Sequence, residues 1–131
     1  MSAAALIYYK LTADLGYTSM PDLRNASQAL STNLLIYEVK SEDMESSTVA
    51  SIQIWRSSID VYILASELKI TADIVQALTT DLNGATWTSD GKTVFMCRVT
   101  GASHGYLEES SPGSADRTRY SMISLLMFHQ N

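Results

Sequence analysis

The sequence predicts an α+β domain: an antiparallel (mixed) sheet of four to five strands, two main helices packed on one face, and a long hairpin with an extended loop. Two observations predict it. Ser66 to Gly84 carries helical periodicity, and four runs (Leu34–Lys40, Val49–Leu64, Thr93–Thr100 and Arg119–His129) carry the β-branched and aromatic content of strands. The resulting order is helix, two strands, helix, then two or three strands.

The first helix is expected over Ala3 to Leu15. Ser2 can cap it, Ala4, Ile7, Leu11 and Leu15 fall near helical spacing with Tyr8 widening the face, and Gly16 supplies the stop. Tyr17 to Thr32 is polar and contains Pro21, so it reads as a connection with one short helical turn at Asn25 to Leu30.

Leu34 to Lys40 reads as a strand and Ser41 to Thr48 as a polar, acidic loop. In Val49 to Leu64 the apolar phase changes: Ile52 and Ile54 are even, whereas Ile59, Val61 and Ile63 are odd. A β-bulge near Arg56 to Ser58 would reconcile the two sets. An odd face led by Trp55 and running straight through is the competing account.

In the second helix Leu68, Ala72, Val75, Leu78 and Leu82 share one face, broadened by Ile70 and Ile74. Glu67 suits its N-terminal dipole and Asn83-Gly84 ends it. After Trp87, the Asp90-Gly91 pair signals a tight turn into the strand Thr93–Thr100. Gly101 to Thr118 reads as a long polar loop before the last strand.

With 131 residues, 46% of them hydrophobic, the chain suffices for one domain, residues 1–131, with a sizeable core. A net charge of −5 and nine scattered Lys and Arg leave no electrostatic footprint for phosphate backbones. The negative balance would instead suit a surface past which DNA must slide without sticking. The single cysteine, Cys97, reads as a buried structural thiol. The apolar start lacks a basic flank and a cleavage site, so no signal peptide is expected, and no run approaches the ~20 apolar residues of a membrane span.

Nothing in the chain marks catalysis, a cofactor or a metal. His104 and His129 are far apart, no phosphate loop, dinucleotide fingerprint or nucleophile elbow occurs, and Gly113-Ser114 lacks the flanking pattern. Glu108-Glu109 are adjacent, point apart and read as solvated charge. Asp60 is the one acid inside an apolar strand. Alternation puts it with Ser58 and Tyr62 on a water-facing side. A structural or binding protein, not an enzyme, is the expectation.

The order of elements, with Ser57-Ser-Ile-Asp-Val-Tyr-Ile63 as a central strand, the helix Glu67–Leu82, the strand Val94–Val99, and Asp116-Arg-Thr-Arg119 opening a closing strand, resembles the tail completion or tail terminator proteins of tailed bacteriophages. The resemblance covers about Ser2 to Phe128. The polar stretch Tyr17–Thr32 departs from the short connection of that family.

The resemblance implies a homohexameric ring in the virion, assembled in the host cytoplasm. Such a ring caps the tail tube, stops its polymerisation and joins it to the neck or connector protein. In a contractile tail it also meets the sheath. DNA is passing cargo only, and no membrane is involved. Contacts are expected in the loops Ser41–Thr48 and His104–Asp116: Glu42, Asp43, Glu45, Glu108 and Glu109 as acidic lumen or contact residues, and Asp116, Arg117 and Arg119 beside a neighbour. Another head–tail connector component would differ only in partners. The alternative from a different class is a small ligand-binding or enzyme domain with a pocket between sheet and helices, using Tyr62, Asp60 and His129.

Overall fold

The computed structural model describes residues 3–17, 19–20, 34–47, 53–65, 68–107 and 118–130. The chain begins with helix α1 (Ala3–Tyr9), which buries Ala3, Leu6 and Ile7. It continues into one π turn (Lys10–Asp14) that buries Leu11. In this wider turn Leu15 N–H donates to the Lys10 carbonyl at 3.0 Å, and just beyond it Tyr17 N–H closes the helix end by donating to the Leu11 carbonyl at 2.9 Å. Gly16, at φ +80°, ends it as expected. Tyr8 does not widen the buried face: it is exposed and lies tilted against Tyr37, ring centroids 6.1 Å apart.

Strands β1 (Ser19–Met20), β2 (Leu34–Ser47), β3 (Gln53–Ala65), β4 (Trp87–Ser89), β5 (Lys92–Leu107) and β6 (Thr118–His129) form one sheet in the order β1-β2-β3-β6-β5-β4. Five of these strands pair antiparallel, and the two-residue β1 adds a parallel edge to β2. The expected α+β class stands. The turn joining β4 to β5 has positive φ at both Asp90 (50°) and Gly91 (75°), as a two-residue hairpin of opposite hand to the common turn requires.

Helix α2 (Leu68–Leu82) and helix α1 share a single core with one face of the sheet, built on Leu35, Tyr37, Ile59, Val61, Ile63, Ile123, Leu125 and Met127. Leu78 and Leu82 are its fully buried contributions from α2, and Ile74 and Val75, partly buried, pack against this core. Gly84, at φ +82°, terminates the helix and donates its N–H to the Cys97 carbonyl at 2.6 Å. The short helix expected at Asn25–Leu30, and the roles of Ser2 and Glu67, lie outside the described residues.

Three expectations are corrected. Ser41 to Ser47 is not a loop, because β2 runs on to Ser47 opposite Gln53. Gly101 to Leu107 is likewise strand, continuing β5 opposite β6 as far as Thr118. Polar and small residues at these positions are tolerated because Lys40–Met44 and Thr100–His104 are exposed throughout. Third, β3 has no bulge at Arg56–Ser58: its register with β6 is continuous from Trp55 opposite His129 to Ala65 opposite Arg119. The Trp55-led odd face runs straight, and the register shifts fall on β2, between Val39 and Ser41 and between Met44 and Ser46.

Candidate interaction surfaces at the ends and edges of the sheet

The register fixes where the expected contact residues stand. Ser47 faces Gln53 at one end of the sheet, while Leu107 faces Thr118 at the other. The ten residue steps from Trp55 to Ala65 along β3 separate the two ends by about 33 Å at the usual strand rise. Glu42, Asp43 and Glu45 lie on β2 toward the first end. Arg119 lies at the second, opposite Ala65 of β3 and Tyr106 of β5. Glu108, Glu109, Asp116 and Arg117 lie outside the described residues.

The two described acids differ in what they do. Glu42 Oε1 accepts the backbone N–H of Ala3 at 2.8 Å, across 39 residues of sequence. A carboxylate there satisfies one of the first unpaired donors of α1 and opposes the positive end of its dipole. Asp43 is exposed and stands opposite Arg56. Glu42→Ala is therefore expected to cost about 1 kcal/mol, and Asp43→Ala less than about 0.5 kcal/mol. Urea unfolding of the two variants measures the difference.

Two buried polar pairs were not legible as pairs in the sequence. Ser57 Oγ lies 2.7 Å from His129 Nε2, both side chains fully buried, and His129 Nδ1 lies 2.6 Å from the Gln130 carbonyl. A carbonyl only accepts, so Nδ1 carries the hydrogen and Nε2 receives the Ser57 hydroxyl proton. The spacing is that of a nucleophile and its base. With no exposed atom on either side chain, however, the pair is a satisfied polar position within the core. Their shared odd parity with Ile59 and Leu125 was the available signal.

The second pair extends into a chain. Ser121 Oγ donates to Thr71 Oγ1 at 2.9 Å, which consumes its hydrogen, so His104 Nδ1, at 2.6 Å, donates to Ser121. This chain fastens α2 to the far half of β5 and β6.

Asp60 is half-buried on the other face, where it accepts from Ser124 Oγ at 3.0 Å and stands 3.9 Å from Lys40 Nζ. The Glu38 carboxylate, 3.1 Å from Lys40 Nζ, is the main influence holding that ammonium above its ordinary range. Tyr62 shares the Asp60 face by alternation, whereas His129 is on the helix face. The sheet thus separates the three residues that a sheet–helix pocket would need. A hollow of about 440 Å³ lies elsewhere, on the exposed side of α2 between Asp73, Gln76, Ala77, Thr80 and Asp81.

Cys97 is fully buried, as expected, and burial pushes its thiol up to about 12, with the Lys10 charge acting in the opposite sense. Burial also raises Tyr37, helped by Tyr8, and Tyr17, helped by Asp81. These groups stay protonated in the folded chain at a pH where the unfolded chain ionises, so the unfolded state holds fewer protons and stability falls as pH rises. For Cys97 the fall is expected between about pH 9 and about pH 12. Thermal unfolding across that window measures it, and thiol alkylation at neutral pH should require unfolding.

Among the described residues no three His, Cys, Asp or Glu side chains stand together as a metal site. No helix there is long and apolar enough to cross a membrane. No known protein-family model matches the chain, and no curated protein does.

Proposed function

We propose that this protein is a structural component of a phage virion, a ring at the head-proximal end of the tail. The ring caps the tail tube, stops its growth and joins it to the neck while DNA passes through. The observation that carries this reading is the placement of the two long hairpins. The paired arms of one end with Ser47 opposite Gln53 and those of the other with Leu107 opposite Thr118, at opposite ends of the strands. A subunit of this design offers one end to the tube and the other to the neck. Repeated about an axis, it makes a ring with two unlike faces.

The net charge of −5 supports a lumen that DNA traverses without adhering. The reading assigns contact roles to Asp43 and Glu45 at one end and to Glu108, Glu109, Asp116, Arg117 and Arg119 at the other. Glu42 serves first as the cap of α1. No chemical step is involved, and the partners are further copies of the chain, the tube protein and the neck protein.

Multi-angle light scattering of the purified protein, alone and mixed with tail-tube subunits, tests the proposal. The expected mass is six copies, either free or only in the presence of tube. A monomer under both conditions would overturn it.

A further inference from the structure

The sheet leaves two strand edges without a described partner. Among the described residues β1 pairs with β2 at Leu35 and Ile36, and no further strand lies along the outer side of β2 from Tyr37 to Ser47. At the opposite edge, β4 pairs with Lys92, Thr93 and Val94 of β5. Backbone bonds from Gly84 and Ala85 hold Cys97, and Asn83 Oδ1 accepts from Val99 N–H. Beyond Val99 no described residue continues that cover. Five consecutive residues are exposed on each open stretch, Lys40–Met44 and Thr100–His104.

The open stretch of β5 reads Thr100-Gly-Ala-Ser-His-Gly-Tyr-Leu107, with no lysine, proline or acid. Natural edge strands usually carry such residues to prevent pairing with another chain. This edge therefore lacks the usual protection against pairing.

We infer that the outer edge of β5, Thr100 to Leu107, receives the outer edge of β2 from a second copy of this chain, Lys40 to Ser47, as an antiparallel pair. Both stretches are eight residues long. Because β2 is antiparallel to β3, β3 to β6 and β6 to β5, the strand β5 runs opposite to β2, so repeating the sheet order β2-β3-β6-β5 keeps every junction antiparallel. Charge selects this union over β2 with β2, which would set Glu42, Asp43 and Glu45 against themselves, whereas the β5 stretch carries no acid.

The open part of β2 lies toward the Ser47 end and that of β5 toward the Leu107 end, so pairing staggers each copy along the strands. Stagger of this kind tilts the strands and allows a sheet to close on itself. The inference rests on the ring reading and specifies its subunit contact.

The test compares wild type with Ala102→Lys/Ser103→Lys by light scattering and by hydrogen exchange. Both positions are exposed, and circular dichroism of the variant checks that it folds. The inference expects exchange at 40–47 and 100–107 to slow at least tenfold in the assembled wild type relative to the dilute monomer. It expects the folded variant to stay monomeric. An open-ended series of masses would support the edge contact and overturn the closed ring. A ring that forms equally well from the variant, with both stretches exchanging freely, would overturn the edge contact and leave the ring standing. Wild type that stays monomeric at all concentrations, with or without tube, would overturn both.

Discussion

Trp87→Ala is expected to lower stability by about 4 kcal/mol, a large share of the roughly 5–15 kcal/mol that holds a domain together. Trp87 sits on the short edge strand β4 yet is only 9% exposed, because its ring fills the gap between α1 and the sheet. Its Nε1 donates to the Leu6 carbonyl at 3.1 Å, and Lys10 Nζ lies 5.3 Å from the ring centroid. The substitution removes a large buried ring, a donor to the helix backbone and the surface over which Lys10 rests.

Trp87→Phe keeps most of the ring and takes away the donor, so its loss should be smaller, about 1–2 kcal/mol. Urea midpoints at unchanged slope measure both. Equal losses for the two variants would show that the indole bond carries the effect; no loss for either would contradict the packing of α1 described here.

His129→Ala should cost about 3 kcal/mol, from the cavity it opens and from the Ser57 hydroxyl left without its acceptor. The position is constrained on every side: His129 is opposite Trp55 in the β3–β6 register, bonded to Ser57, and turned by the Gln130 carbonyl. Gln130 itself is held, its N–H by the Thr93 carbonyl at 2.9 Å and its Oε1 by Thr93 N–H at 2.9 Å. Ser57→Ala removes only the hydroxyl and should cost about 1 kcal/mol. The double variant should fall short of the sum of the two, since both remove one bond. Strict additivity, measured by chemical denaturation, would deny the coupling.

Local rules located the elements wherever side chains reported their own burial. The α2 stripe, the Asp90-Gly91 turn, the Gly16 and Gly84 stops and the core parity of Ile59, Val61 and Ile63 were all legible. The hairpin arms were not. Ser41–Ser47 and Gly101–Leu107 are strand by virtue of backbone pairing with β3 and β6, and on exposed edges that pairing leaves no apolar alternation to read.

The apparent phase break in β3 had a related cause. Ser57 occupies a core position that a hydrophobic pattern would give to Val or Ile, and it is stable there only because His129, seventy-two residues later, accepts its proton. The capping of α1 by Glu42 was hidden in the same way. An acid whose polar neighbours read as loop is a strand residue that caps α1 through a contact set by tertiary packing alone. Among the expected contact residues, the sequence indicated charge, and only the strand register indicated that Glu42 and Asp43 stand toward the opposite end of the sheet from Arg119.

Electron microscopy of tail tubes polymerised with and without the protein tests the central claim most directly. The account predicts a ring with an axial opening on one end of each tube, nothing along the tube walls, and no further growth from the capped end. Bare tube ends and unchanged growth, with the protein remaining unattached, would contradict it.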